Sequence, residues 1–289
     1  MPPRTPYDRH VLAHLAALAC GVDPAIPGTA GAVTAPLRAD APRCLVFSPH
    51  PDDEALVGGL ALRLRQRHGW QVVNVAVTLG SRLERRAARW AEAQACCAYL
   101  GFELLSPIGV PGQAFERITP EAAHADPAHW QRAVQAVAAL LRRLQPRVVV
   151  APHAGDGHGA HVGTHRLVRD ALEACGDAVD AHLCWSEYWA TQAEPRLRLE
   201  LEAGEVAQMV TACALHAGEV ARHPYHLLLP ALLTDSARRG TERVGAPGSA
   251  ADGVLLAALY GWERWTAGRP APMPPRTLRA AEDLDALLC

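Results

Sequence analysis

Apolar residues fall along this chain in two rhythms. Short, nearly continuous apolar runs occupy residues 45–48, 71–78, 102–106, 147–151 and 181–189, with a briefer one at 196–201. Between them lie longer stretches in which apolar positions recur every three or four residues: about 54–68, 82–100, 127–144, 162–174 and 204–218. Short runs of this kind predict buried strands, and the consecutive valines of 148–150 mark a strand covered on both faces. Strands alternating with helices predict an α/β fold, a Rossmann-like three-layer sandwich whose mainly parallel sheet carries helices on both sides. Two further apolar stretches, 226–239 and 253–267, predict a helical C-terminal extension before a Pro-rich tail.

The N-terminal part reads differently. Residues 11–22 are apolar and end near Leu18-Ala19-Cys20-Gly21, in the manner of a lipoprotein leader. Asp8 and Arg9 flank the run, His14 interrupts it, and Ala17 stands where such a leader needs a large aliphatic residue, so an amphipathic helix is the better reading. Residues 23–42 are rich in Pro, Gly and Ala and predict a linker. This divides the chain into an N-terminal helix and linker, 1–42, and a single domain, 43–289.

Composition narrows the chemistry. A net charge of −2 over 289 residues gives no reason to expect nucleic acid or an anionic membrane as partner, and no stretch has the length of a membrane span. All 28 basic residues are Arg, which excludes Lys-based Schiff bases and Walker A phosphate binding. The eight Cys form no C-x-x-C pair and several sit in apolar segments, so a thiolate zinc site is not expected and a reducing, cytoplasmic setting fits.

Two loops concentrate groups able to bind metals and move protons. The strand at 45–48 runs into His50-Pro51-Asp52-Asp53-Glu54, where three adjacent carboxyls repel one another unless a cation or proton offsets them. The strand at 147–151 runs into a loop with His153, Asp156, His158 and His161, and His165 follows. In a parallel sheet both loops emerge at the same edge, where such sheets place their ligands. Two imidazoles and a carboxylate with one open position form a common hydrolytic zinc arrangement, in which water is acidified and a carbonyl polarised. A second carboxylate can then take the proton of that water, and a spare His can steady an oxyanion.

With His50-Pro51-Asp52-Asp53-Glu54 after a strand and His158-x-x-His161 about a hundred residues on, the chain resembles the zinc-dependent N-deacetylases of the PIG-L/LmbE type. Gly58-Gly59, Arg89-x-x-Glu92 followed by Leu100-Gly101, and Asp156 add to the likeness, which covers about residues 43–220. The resemblance implies hydrolysis of an N-acetylated small molecule such as an amino sugar or glycoconjugate, with Zn²⁺, or another transition metal, as cofactor. It implies His50, Asp53 and His161 as metal ligands, Asp52 as general base and His158 as the group that stabilises the tetrahedral intermediate or protonates the amine. Arg89 and Asp156 are the implied substrate contacts, and Glu54 a supporting carboxylate. The chain departs from the pattern at Ala160, where the family carries an Asp that orients the preceding His. The loop 107–115 also lacks an acidic residue found in some sugar-specific relatives. His153 and His165 read equally as packing residues, and Trp185, Tyr188 and Trp189 as core or as a platform for a sugar ring. The same scaffold also resembles zinc hydratases of unsaturated acids, and Ala160 leaves room for a non-catalytic binding homologue.

Overall fold

The computed structural model describes residues 7–19, 36–37 and 40–288. Most of the expected linker lies outside the described residues, while α1, Asp8–Ala19, forms the N-terminal helix. Nine strands make one sheet: β1 (Arg43–Ser48), β2 (Gln71–Ala76), β3 (Glu103–Leu105), β4 (Val148–Pro152), β5 (Ala181–Ser186), β6 (Leu197–Glu200), β7 (Ala257–Thr266), β8 (Arg269–Pro272) and β9 (Arg276–Leu278). The helices of the domain are α2 (Asp53–Leu56), α3 (Gly59–His68), α4 (Arg86–Leu100), α5 (Ala122–Ala125), α6 (Pro127–Leu144), α7 (Gly159–Cys175), α8 (Ala203–Ala214), α9 (Ala217–Val220), α10 (Tyr225–Gly240) and α11 (Asp285–Leu288).

The strand order is β3-β2-β1-β4-β5-β7-β6-β9, with β8 added to β7. From β3 to β5 every pairing is parallel. The chain winds outward from β1 through β2 to β3, then crosses back to lay β4 on the other side of β1. The order therefore reverses between β1 and β4, and a crevice opens there beyond their carboxyl ends.

Alternate residues of the central strands feed two separate cores. Cys44, Val46, Val148 and Val150 pack with α3, α4, α8 and α10. Leu45, Phe47, Val149 and Ala151 point the other way and pack with α6 and α7. This period-two division of unbroken apolar runs is what a strand covered on both faces requires.

The helix expected over 54–68 is broken into α2 and α3 at Val57-Gly58. A Cβ on Gly58 would lie 2.1 Å from the Glu54 carbonyl oxygen, so only glycine lets the chain fold so tightly behind the acidic loop. The expectation of helix over 253–267 is overturned. This segment is β7, inserted antiparallel between β5 and β6. Tyr260, Trp262 and Trp265 are almost wholly buried there, and residues of both rhythms read as one apolar run when neither face meets water. The Pro-rich tail supplies β8 and β9. Among the described residues no helix is long and apolar enough to cross a membrane.

Candidate active site

The two loops expected to converge do so at the β1/β4 crevice. They line one end of a cleft of about 920 Å³ that also includes Arg89, Tyr188, Trp189, Glu219 and Tyr225. The rings of His50, His158 and His161 lie with centroids 5.0–5.5 Å apart. A nitrogen from each falls within 4.8 Å of the others. Asp53 Oδ2 sits among them, 3.6 Å from His50 Nδ1 and 3.4 Å from His161 Nε2. It also accepts the His50 backbone N–H at 2.9 Å.

His161, on the first turns of α7, is enclosed between two carboxylates. Its Nδ1 is 3.1 Å from Asp156 Oδ1, off the line of a good hydrogen bond. Both ring nitrogens are buried without a hydrogen-bond partner. Burial alone would push this imidazole down, yet Asp53 and Asp156 raise it to about 10. Burial would likewise raise the Asp53 carboxyl, but His161 and His50 hold it well below the usual carboxylate range. The pocket thus demands a cation between Asp53 and His161, and a metal meets that demand as well as a proton does. The donor set of His50, Asp53 and His161, backed by a carboxylate on the far nitrogen of His161, fits a divalent transition metal.

His158 is the fourth candidate donor, and its hydrogen bonding separates it from the others. It caps α7, with Nδ1 accepting the Ala160 backbone N–H at 3.3 Å. A neutral imidazole that accepts at Nδ1 carries its proton on Nε2, which then donates a hydrogen bond and cannot bind a metal. Burial, with His50 and His161 nearby, lowers the His158 pKa and keeps the ring neutral. The Trp189 indole stacks on it, with centroids 5.7 Å apart and planes 23° from parallel. A backbone amide and an aromatic face therefore orient His158, where the usual Asp is replaced by Ala160.

Asp52 faces the cleft from the entry to α2. Its backbone is held at φ 122°, ψ −29°, outside the regions open to a side-chain-bearing residue. Such strain costs on the order of 1–3 kcal/mol and survives only where surrounding contacts enforce it. Burial raises the Asp52 pKa well above normal, Asp53 adds to the rise and Arg89 opposes it. A carboxyl perturbed in this way inside a cleft is suited to proton transfer.

Of the two expected substrate contacts, Asp156 lies out of a ligand's reach and Arg89 lines the cleft. Asp156 is fully buried behind His161, where its other oxygen accepts the Trp189 backbone N–H at 3.3 Å, so it has no surface for a ligand. Arg89 does line the cleft, but Nη2 donates to the Pro51 carbonyl at 3.1 Å and Nε lies 3.5 Å from Glu219. Glu92, three residues on, binds the Gly218 backbone N–H instead of Arg89. His153 and His165 bond the Ala190 and Pro152 carbonyls, and His165 packs on Trp185 at 4.4 Å. They stabilise the loop and lie outside the cleft. Sequence reasoning assigned no role to His216, whose Nε2 is 3.0 Å from Glu54 Oε1, and missed Glu219; only the fold brings them here.

Residues 45–172 match the family model PIG-L: GlcNAc-PI de-N-acetylase. A 1D-myo-inositol 2-acetamido-2-deoxy-α-D-glucopyranoside deacetylase of Mycobacterium leprae (strain Br4923) is 34% identical over 173 residues, 52% of this chain and 56% of the relative. The enzyme of the same name from Rhodococcus erythropolis (strain PR4 / NBRC 100887) is 30% identical over 182 residues, 53% of this chain and 62% of its own. The chain thus spans less than two thirds of these relatives' length. In fold it is similar to the N,N′-diacetylchitobiose deacetylase of Pyrococcus horikoshii, with TM-score 0.54 and 16% identity over 77% of this chain and 84% of that one. It is equally similar in fold to the 4-carboxy-2-hydroxymuconate hydratase of Pseudomonas putida, with TM-score 0.55 and 18% identity over 76% of this chain and 95% of that one. Residues 45–172, the part similar to the PIG-L family model, hold both loops of the site.

Proposed function

We propose that this protein is a metal-dependent deacetylase that hydrolyses the N-acetyl group of an amino sugar or glycoconjugate, as its matched relatives are named for doing. The observation that carries this reading is the pairing of a strained, pKa-raised Asp52 with a cation-demanding pocket one residue away. His50, Asp53 and His161 would hold the metal, Zn²⁺ suiting such a set best. When bound, the ion acidifies water and polarises a carbonyl oxygen.

The protein groups then divide the proton work. Asp52 accepts the proton of the attacking water at a carboxylate oxygen. His158 Nε2–H donates to the carbonyl oxygen as negative charge builds there, and its fixed tautomer means no reorientation is needed. As the C–N bond breaks, the proton held by Asp52 passes to the departing nitrogen, giving acetate and a free amine.

The size of the cleft suits a multi-ring substrate. An N-acetylhexosamine has fifteen heavy atoms and, at no more than a water's ~30 Å³ each, fills less than about 450 Å³. Half of the 920 Å³ cleft is left for a second ring or aglycone. Tyr188, Trp189 and Tyr225 meet edge to face along one wall, with Trp189 51% exposed, as a platform for such a ring. Among the arginines of the cleft, Arg86 pairs with Glu116 and Arg117 with Asp126, while Arg85, Arg89 and Arg222 share the single carboxylate of Glu219.

With Zn²⁺ and 1D-myo-inositol 2-acetamido-2-deoxy-α-D-glucopyranoside or N,N′-diacetylchitobiose as probes, the protein is expected to release acetate and primary amine in equal amounts. A chelator stops the release and Zn²⁺ restores it. No acetate from either probe, with loss of absorbance from an unsaturated dicarboxylate, overturns the reading in favour of hydration. Asp156→Asn tests the metal assignment separately. Losing the carboxylate behind His161 is expected to weaken Zn²⁺ binding by about 10–100-fold, measured by competition with a chromophoric chelator. Unchanged affinity would show that His161 binds no metal or needs no such support.

A further inference from the structure

Beneath the cleft, the peptide unit joining Pro51 to Asp52 is gripped at both ends. Its carbonyl oxygen accepts Arg89 Nη2 at 3.1 Å, and its N–H donates to Glu54 Oε2 at 3.1 Å. The orientation of this one peptide plane sets the φ of Asp52, the 122° found to be strained.

Both grips lead back to one short segment far along the chain. His216, fully buried and 162 positions from Glu54, places Nε2 3.0 Å from Glu54 Oε1. Glu54 is fully buried too, so without His216 its carboxylate would lose its imidazole donor in the core, where the Cys96 thiol is a far weaker substitute. Three residues on, Glu219 lies 3.5 Å from Arg89 Nε and 2.8 Å from Arg85. The segment is itself rigid: the His216 carbonyl accepts the N–H groups of Glu219 and Val220, and its own N–H bonds to Cys213. One turn of chain thus carries two arms, His216–Glu54 to the N–H and Glu219–Arg89 to the carbonyl. A strained residue persists only where its surroundings over-determine it, and this double clamp is the device present here.

We propose that the segment from His216 to Glu219 is the positioning device of Asp52, fixing the Pro51–Asp52 peptide from both sides so that the carboxyl is held at its working position. The inference rests on the reading of Asp52 as the base. It gives Arg89 a positioning task, and gives Glu54 and His216 a task although neither touches the cleft.

Two substitutions that differ only in reach test it. Gln at 216 can carry an amide N–H to Glu54 where the imidazole does; Asn is too short. Both keep a polar amide of acceptable size at the buried position. H216N is expected to lose about 10–100-fold in kcat, the usual effect of removing a supporting partner, with KM and bound zinc unchanged. H216Q is expected to recover most of that loss. Independently of activity, the crystal structure of metal-free H216N is expected to show the Asp52 φ relaxed to a negative value, while H216Q keeps it near that of the parent. An H216N protein with parental kcat, a kcat that falls only in step with zinc content, or an unchanged φ at Asp52 each overturns the proposal. Should the parent release no acetate at all, the assignment of Asp52 as base fails, and the φ comparison still decides whether the clamp exists.

Discussion

Asp52→Asn is expected to lower the rate of acetate release by about 10²–10⁴-fold and to leave zinc content unchanged, the span over which a positioned acid–base group contributes. The substitution is unusually clean at this position. Asn has the size and shape of Asp, so it brings no new bulk to the strained entry to α2. His50, Asp53 and His161 are untouched. Stability is expected to move in the opposite direction to activity. Burial and the neighbouring Asp53 raise the folded-state pKa of Asp52 despite Arg89. A carboxyl with a raised folded pKa destabilises the fold above its unfolded pKa of about 3.9, and the whole penalty is present once pH exceeds the folded value. Asn removes it, so metal-free D52N is expected to melt no lower than the metal-free parent at neutral pH. Calorimetry and acetate release on the same samples check both halves. A variant that keeps a tenth or more of the parental rate, or loses zinc along with rate, removes Asp52 from the role of base.

How much of this was legible in the sequence depends on how far apart the partners lie. The central sheet could be read because β1, β2, β4 and β5 are runs of buried apolar residues between helices of clear period. The meeting of the two loops followed from parallel winding alone, since chain reversal between β1 and β4 leaves both carboxyl ends at one crevice. Strand β7 was not legible. Ala257–Thr266 is largely covered on both faces, and its ten residues, apolar but for Gly261, Glu263, Arg264 and Thr266, have the length of a helix as well as of a long strand.

The supporting contacts were harder still. Nothing local tells that Glu54 meets His216, that Arg89 meets Glu219 rather than Glu92, or that Asp156 stands behind His161 instead of facing the substrate. Those pairings are decided by which helix faces which loop. Motif spacing named the groups at the surface of the cleft; several of the groups that orient them, His216, Glu219 and Trp189, come from the turn between α8 and α9, from α9 and from the loop after β5. The departure at Ala160 shows the same division. The sequence displayed the missing Asp, but only the fold shows a backbone N–H on Nδ1 and the Trp189 face holding His158 in its place.

His161→Ala is expected to abolish both activity and the response of stability to zinc, and the second effect separates a metal site from a merely buried histidine. At zinc one hundred-fold above its dissociation constant, linkage stabilises the folded parent by about 2.7 kcal/mol. For a chain of this size that is a rise of roughly 5–10 °C in Tm. H161A has lost one donor and keeps two buried carboxylates, Asp53 and Asp156, with nothing between them. Its Tm is expected not to move with zinc. Without metal the variant should already be less stable, with a characteristic pH dependence. In the metal-free parent the two carboxylates raise the His161 pKa to about 10. A raised imidazole pKa contributes stability that is complete below the unfolded value of about 6.5 and is lost as pH climbs through the folded one. The deficit of H161A is therefore expected to be largest near pH 6 and to shrink towards pH 10. A deficit that is constant over this range would mean that His161 acts by packing alone, and a zinc-dependent Tm in H161A would mean that the ion binds elsewhere.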